Sequence, residues 1–216
     1  MGKNLRQQKR GKGSPKYRAS HKYPISYDSK EGAVVEIIHS RGRKSPLAII
    51  ESAGKKFFQV ASKGMRVGQK SKFTELRNIA DGTKVHNIEV RPGSGGRMCR
   101  SPGTSAILIT KEKDRCVILM PSKEKKILSP KCKAVIGEVS GSGRIEKPFR
   151  KAGSRFYALR ALGKPYPRTS GVSMNPVDHP FGGSAKPGKH KTVSRHMPPG
   201  KKVGSISPKR VGKRKS

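Results

Sequence analysis

Asp178 and His179 place a carboxylate and an imidazole at adjacent positions of the chain, and acid–base catalysis uses both groups. They lie in the segment Gly171–Gly183, which holds the only acidic residue after Glu146. In a hydrolase, His179 would be the general base. However, adjacent residues rarely form a catalytic pair, and no serine or cysteine nucleophile is evident beside them. We therefore favour a proline-fixed turn that contacts the phosphates of RNA. Its candidate residues are Asn175, Asp178, His179, Gly182 and Gly183.

Asp178 has two further interpretations that involve no catalysis. Its carboxylate could orient His179, or it could hold a hydrated Mg²⁺ against phosphate. The second interpretation requires Mg²⁺ that is associated with the nucleic acid, because the sequence gives no cluster of ligands that would form a protein cage for a metal. We expect no other cofactor.

A second candidate site is the glycine-rich loop within residues 86–103, which follows a predicted strand. Glycines have no Cβ, so their backbone N–H groups can approach phosphate closely, and arginines can donate in pairs to the same oxygens. The glycines are Gly93, Gly95 and Gly96, and the arginines are Arg91, Arg97 and Arg100. The loop has neither the Gly-Lys-Ser/Thr ending of a nucleotide P-loop nor a dinucleotide fingerprint. The alternative interpretation is an ordinary connecting loop.

The two ends of the chain carry cations almost without acids. Residues 31–150 hold 25 Lys and Arg against 11 Asp and Glu, whereas the ends hold the other 25 with only Asp28 and Asp178. Each cation that neutralises a phosphate releases condensed counterions, so such ends favour strong, salt-sensitive binding. The candidate contacts are Arg6, Lys9, Arg10, Lys12, Arg18, Arg195, Lys201 and Lys202. Neither end has enough apolar residues to order itself alone, so we expect binding to order both.

Composition excludes several classes of protein. The formal charge is +37, only 31% of residues are hydrophobic and 5% are aromatic, so a polyanionic partner is needed to offset self-repulsion. The longest apolar runs are far shorter than the roughly 20 residues of a membrane span, and no secretory signal is visible. The three cysteines, at 99, 116 and 132, fit neither a disulfide framework nor a paired zinc motif.

The elements that must position these residues are mainly strands. Short β-branched stretches recur between turn residues, and their spacing fits two small barrels. The predicted strands are 34–38, 47–50, 57–60, 85–90, 106–110, 116–120 and 134–139. A brief helix is predicted over 156–162, ended by Gly163 and Pro165. Three tyrosines that alternate with cations near the N-terminus are candidates for base stacking, namely Tyr17, Tyr23 and Tyr27.

Four stretches, in this order, resemble the universal large-subunit ribosomal protein family uL2, called L2 in bacteria and L8 in eukaryotes. They are 86–101, 132–139, 151–153 and 174–180. The ending 191–204 is similar to the archaeal and eukaryotic branch, as is Phe181, where bacterial members usually carry a second histidine. The resemblance covers nearly the whole chain.

The resemblance implies an OB-like barrel at 31–76 and an SH3-like barrel at 77–150. It further implies that the basic extensions 1–30 and 151–216 are threaded into large-subunit rRNA. It implies a structural, non-enzymatic protein of the cytoplasmic ribosome that binds rRNA and supports subunit assembly and association. The loop containing Asp178 and His179 would reach towards the peptidyl transferase centre, where the RNA performs the chemistry. Neighbouring ribosomal proteins and the small subunit would be its partners, without a membrane or a homo-oligomer.

The same cationic ends would also suit a free nucleic-acid chaperone or a DNA-compacting protein. That alternative and the hydrolase remain open from the residues alone.

Overall fold

The computed structural model describes residues 2–19, 23–26, 31–184 and 191–208. The chain divides into two compact units. One is Ala19–Arg155, and the other combines the two ends, Met1–Arg18 and Phe156–Ser216. Strands dominate, so the prediction of a mainly β protein is confirmed.

The first half of the central unit is an antiparallel four-stranded sheet. Its strands are β1 (Gly32–Ile38), β2 (Leu47–Ser52), β3 (Lys55–Val60) and β4 (Lys70–Ser71), in the order β3-β2-β1-β4. The three predicted strands lie within β1, β2 and β3. Because side chains alternate across a strand, this sheet buries residues on both faces. Leu47 and Val60 belong to one buried cluster, and Ala48 and Ile50 belong to another.

The second half is built on an antiparallel six-stranded sheet in the order β11-β10-β9-β6-β12-β5. The strands of this region are β5 (Thr74–Glu75), β6 (Lys84–His86), β7 (Ile88–Glu89), β8 (Gly96–Met98), β9 (Ala106–Lys111), β10 (Cys116–Leu119), β11 (Lys125–Leu128) and β12 (Lys133–Ile136). β7 and β8 form a separate antiparallel pair. The largest buried cluster lies here and includes the fully buried Leu108, Cys116 and Ile118.

Three details of this half differ from the sequence prediction. The stretch 85–90 is two strands, because Asn87 has a φ of 50° and breaks the ladder. β12 ends at Ile136, before Gly137 with its φ of 104°. β11 is not predicted from the sequence. It contains two lysines and only one buried residue, Leu128, so apolar and polar residues do not alternate along it.

The terminal unit contains little regular structure. Its helix α1 spans Arg6–Gly11, and the parallel strands β13 (Thr192–Val193) and β14 (Ser205–Ile206) pair with each other. Helix α2 (Ala152–Ala161), of which only residues 156–161 belong to this unit, begins four residues before the predicted helix and ends two residues before Gly163. Within the described part of the chain, no helix has the length and apolar character to cross a membrane.

Candidate nucleic-acid interface

The glycine-rich loop is organised around the buried carboxylate of Glu89. Its Oε1 accepts a hydrogen bond from the N–H of Gly95 at 3.1 Å. Its Oε2 accepts from the N–H groups of Lys133 at 2.9 Å and Gly93 at 3.3 Å. Because Glu89 is fully buried, backbone dipoles replace the water that its carboxylate would otherwise need. The carboxylate therefore ties the loop to the start of β12.

This arrangement corrects the mechanism predicted for two of the glycines. The N–H groups of Gly93 and Gly95 donate to Glu89, so they are not directed at an external phosphate. Ser94 closes the tip of the loop, because its Oγ accepts hydrogen bonds from the N–H groups of Val90 and Arg91. Gly96 is needed for a different reason: a Cβ there would collide with the buried side chain of Asn87.

The three loop arginines have different surroundings. Arg91 and Arg97 are exposed, and Arg97 Nε donates to the carbonyl oxygen of Ser94 at 3.4 Å. Arg100 is half-buried, and its Nη1 donates to the carbonyl oxygen of Gly96 at 3.0 Å. Arg91 and Arg97 are therefore exposed cations of the loop, and Arg97 and Arg100 also brace it through hydrogen bonds to its carbonyl oxygens.

A buried histidine precedes this loop and links the two halves of the central unit. His86 Nδ1 lies 3.2 Å from the carbonyl oxygen of Gly137, and Nε2 lies 3.1 Å from Ser62 Oγ. A carbonyl oxygen only accepts, so Nδ1 carries the proton and Nε2 accepts from the hydroxyl group of Ser62. Burial lowers the pKa of His86 to about 4, although the hydrogen bond to Gly137 opposes this shift.

The segment 174–183 in the terminal unit is a closed loop rather than an extended strand. The carbonyl oxygen of Asn175 accepts hydrogen bonds from the N–H groups of Asp178 and His179, and the N–H of Gly183 donates to the carbonyl oxygen of Met174. A Cβ at Gly182 would collide with the backbone of Asn175. The loop therefore brings together Asn175, Asp178, His179, Gly182 and Gly183, as the predicted turn requires.

His179 packs into this loop as a neutral imidazole. Its Nδ1 accepts a hydrogen bond from the N–H of Phe181 at 3.0 Å, and the two ring centroids are 5.2 Å apart. Nε2 is therefore the nitrogen that carries the proton. Desolvation lowers the pKa of His179. The neutral ring therefore has a single N–H donor, at Nε2, and no positive charge.

Gly171→Ala is expected to displace the ring of His179, because a Cβ at Gly171 would overlap the imidazole. The displaced ring is more hydrated, so the pKa of His179 rises towards its ordinary value. Titration of the full chain by NMR of the histidine ring protons measures this shift. Gly153→Ala is the control, because a Cβ there meets nothing. An unchanged pKa in the Gly171→Ala protein would contradict the packing described above.

Asp178 pairs with Lys3 rather than with His179. Lys3 Nζ lies 3.3 Å from the Asp178 carboxylate, and the N–H of Lys3 donates to the carbonyl oxygen of Val177. The prediction that Asp178 orients His179 is not supported, because the imidazole is held by the N–H of Phe181. The carboxylate of Asp178 therefore already has one cationic partner, and an Mg²⁺ held by nucleic acid beside it stays a prediction. The described residues contain no group of three or more potential metal ligands.

The two ends of the chain pack together within the terminal unit. Arg6 Nη1 donates to the carbonyl oxygen of Pro167 at 3.0 Å, and Gln8 lies beside Gly200. Leu5 and Val203 are buried. Each end by itself is too polar to form a core, and together they bury only these two apolar side chains, whereas Tyr157, Val177 and Ile206 remain exposed.

The predicted cations at the ends remain exposed in this packed arrangement. They are Arg6, Lys9, Arg10, Lys12, Arg18, Arg195, Lys201 and Lys202. Of the three tyrosines proposed for stacking, Tyr23 packs against Phe58 with ring centroids 5.0 Å apart, so it already has a protein partner. Tyr17 is half-buried, and Tyr27 lies outside the described residues.

Sequence reasoning missed the roles of Glu89, His86 and Lys3. One signal was available for Glu89, because it is an isolated acid four and six residues before glycines in a cationic loop. His86 and Lys3 act through partners distant in the sequence. Cys99, Cys116 and Cys132 are free, as predicted, and burial raises the pKa of the Cys99 thiol to about 11.

Comparison with known proteins identifies the family. Residues 69–202 match the family model of the C-terminal domain of ribosomal proteins L2. The large ribosomal subunit protein uL2 of Methanothermobacter thermautotrophicus is 44% identical, with both chains covered completely. That of Haloquadratum walsbyi is 42% identical over 99% of this chain and 97% of its own. That of Methanobrevibacter smithii is 44% identical over 98% of this chain and 99% of its own. This chain belongs to the uL2 family of large-subunit ribosomal proteins.

Proposed function

We propose that this protein is a structural, non-enzymatic constituent of the large subunit of the cytoplasmic ribosome, and that it binds large-subunit rRNA. One observation carries the proposal. The segments of the terminal unit hold 21 Lys and Arg against a single acid, Asp178, and that acid is paired with Lys3. An exposed cationic surface of this kind is favourable when a polyanion offsets its self-repulsion, and the family of this chain favours rRNA as that polyanion.

The central unit serves as a rigid platform for this binding. In this proposal residues 31–76 form an OB-like barrel and residues 77–150 form an SH3-like barrel. The four-stranded and six-stranded antiparallel sheets support this assignment. The extensions 1–30 and 151–216 follow rRNA. Arg91 and Arg97 contact phosphates beside the loop that Glu89 fixes, with Gly93, Gly95, Gly96 and Arg100 shaping its surface.

The loop 174–183 supports the region of the peptidyl transferase centre and contributes to subunit assembly and association. Its closed backbone and the neutral Nε2–H of His179 suit a hydrogen bond to an RNA oxygen. Asn175, Gly182 and Gly183 form the surface around it. Any Mg²⁺ near Asp178 is held by rRNA, while neighbouring ribosomal proteins and the small subunit are the further partners.

Neutralising three arm cations should make binding to large-subunit rRNA less sensitive to salt. The variant Lys9→Gln/Arg10→Gln/Lys12→Gln loses three phosphate contacts, so the slope of log K against log salt should become shallower by about 2 to 3. Filter binding of the full chain between low and moderate salt measures the slope.

The matched control is Lys55→Gln/Lys56→Gln/Lys70→Gln, which removes the same charge from exposed positions of the four-stranded sheet. Its slope should change by less than half as much. Equal changes in both variants would mean that the arm has no special role and that net charge alone drives binding.

Sedimentation separates the proposal from a free chaperone or a DNA-compacting protein. A ribosomal constituent should remain with large subunits through a sucrose gradient after a moderate-salt wash, whereas a free chaperone would stay near the top. The hydrolase alternative requires turnover by the purified chain that disappears in His179→Ala. The pairing of Asp178 with Lys3 argues against that alternative.

A further inference from the structure

Helix α2 carries an aromatic pair that lies at the protein surface. None of the residues of this helix is buried. Phe156 and Tyr157 pack edge to face, with ring centroids 5.4 Å apart and an angle of 81° between the ring planes. Phe156 is 39% exposed and Tyr157 is 68% exposed, so the ring of Tyr157 is largely open to solvent. The pair therefore does not serve as a protein core.

Helix α2 also lacks the apolar stripe of a helix that packs on a protein core or lies on a lipid surface. Its apolar residues are not gathered on one side. In proteins, a helix this short normally gains most of its stability from tertiary packing of such a stripe. The pattern therefore favours a partner that contacts individual side chains of the helix.

The sequence around the aromatic pair is cationic. No Asp or Glu occurs from residue 147 to residue 177, whereas seven Lys and Arg occur between residues 147 and 168. Arg160 is exposed and lies four residues after Phe156 and three after Tyr157, so its Cβ is about 5 to 6 Å from theirs. The one acid of the terminal unit, Asp178, pairs with Lys3. A guanidinium group therefore stands beside both rings.

A nucleotide combines the two groups that these side chains bind. Its base offers a flat π face to an aromatic ring, and its phosphate offers an anion to a guanidinium group. An aliphatic protein segment would cover the rings but would leave Arg160 without an anion. An acidic segment would pair with Arg160 but would give the rings no stacking partner. The bases of a duplex already stack on each other, so the base must be unpaired.

We propose that Tyr157 stacks on an unpaired RNA base, while Arg160 contacts the phosphate beside that base. Edge-to-face packing on Phe156 restricts the rotamers of Tyr157, which lowers the entropy cost of binding. Because every base has a π face, the site takes single-stranded RNA with little preference for sequence. The inference rests on the proposed function, because rRNA supplies the base, and it adds a base contact to the phosphate contacts proposed above.

Filter binding of the full chain to large-subunit rRNA at several salt concentrations tests the stacking. Tyr157→Ala should weaken binding by about tenfold, because stacking on one base is lost. The slope of log K against log salt should not change, because no phosphate contact is lost. Arg160→Gln should instead make the slope shallower by about 1. Alanine favours a helix, so the first substitution retains α2.

Two further variants separate stacking from the burial of apolar area. Tyr157→Phe keeps a π face and should bind within about twofold of the unchanged chain. Tyr157→Leu keeps an apolar side chain without a π face, so it should weaken binding as much as Tyr157→Ala. Ile206→Ala is the matched control, because Ile206 is an apolar residue of the same unit and is 47% exposed. Its affinity should not change.

Ultraviolet cross-linking of the complex identifies the partner of the ring. Mass spectrometry should find a nucleotide attached to the peptide that contains Tyr157, and the adduct should disappear in Tyr157→Ala. If the unchanged chain does not bind rRNA, the proposed function is wrong. If it binds, this inference alone is wrong when Tyr157→Ala binds equally well, when Tyr157→Leu binds as well as Tyr157→Phe, or when nucleotides are found only on other peptides.

Discussion

Glu89→Ala is expected to lower the free energy of unfolding of the central unit by about 4 kcal/mol. The substitution leaves the N–H groups of Gly93, Gly95 and Lys133 without their buried acceptor. It also removes the attachment of the glycine-rich loop to β12. Hydrogen exchange of the full chain in increasing urea, followed at amides of β6, β9 and β10, measures the loss.

Glu89→Gln separates the charge from the shape of this side chain. The amide keeps one acceptor oxygen but places an NH₂ group against backbone donors, so we expect about half the destabilisation of Glu89→Ala. The exchange of the amides of Gly93 and Gly95 should accelerate in both variants. Glu51→Gln is the control, because Glu51 is exposed on β2. A loss of under about 1 kcal/mol in Glu89→Ala would show that the carboxylate does not organise the loop.

Acidification from pH 7 to pH 4 is expected to cost the central unit about 3 kcal/mol through His86. The pKa of His86 is about 4 in the folded protein, against an ordinary value of 6.5. Between these values the unfolded chain binds a proton that the folded chain does not. Stability is therefore complete above pH 6.5 and falls as the pH drops towards 4.

The His86→Gln protein isolates this contribution. Glutamine can still donate to the carbonyl oxygen of Gly137, but it does not titrate. Other groups titrate in both proteins, including Glu138, whose pKa is lowered by its hydrogen bond to Lys63. The difference in pH dependence between the two proteins, measured by urea unfolding at intervals from pH 7 to pH 4, should recover most of the expected 3 kcal/mol. Parallel curves would refute the buried, neutral state of His86.

The glycine-rich loop shows where sequence reasoning reaches its limit. Its glycines and arginines predict an anion-binding loop, and Arg91 and Arg97 are exposed as that prediction requires. The nearest anion to the glycine amides is nevertheless the protein's own Glu89. A sequence pattern identifies the donors, but only the folded backbone decides which acceptor they meet.

The terminal segments illustrate a similar limit. Counting charges along the chain distinguishes the ends from the middle, but it treats the ends as two independent arms. The structure places Lys3 against Asp178 and Arg6 against Pro167, across more than 160 residues of sequence. No local pattern predicts such a pairing, because the free energy of these contacts depends on the path of the whole chain.

Composition and local pattern by themselves determined the mainly β character, three strands of the first sheet and the excess of cations at both ends. These features follow from period-two alternation and from charge, which are properties of neighbouring residues. Only the tertiary structure decided the burial of Glu89 and His86 and the partner of Asp178. The burial or the partner of each side chain depends on residues that are distant in the sequence. Those residues surround the side chain and exclude water from it only after the chain has folded.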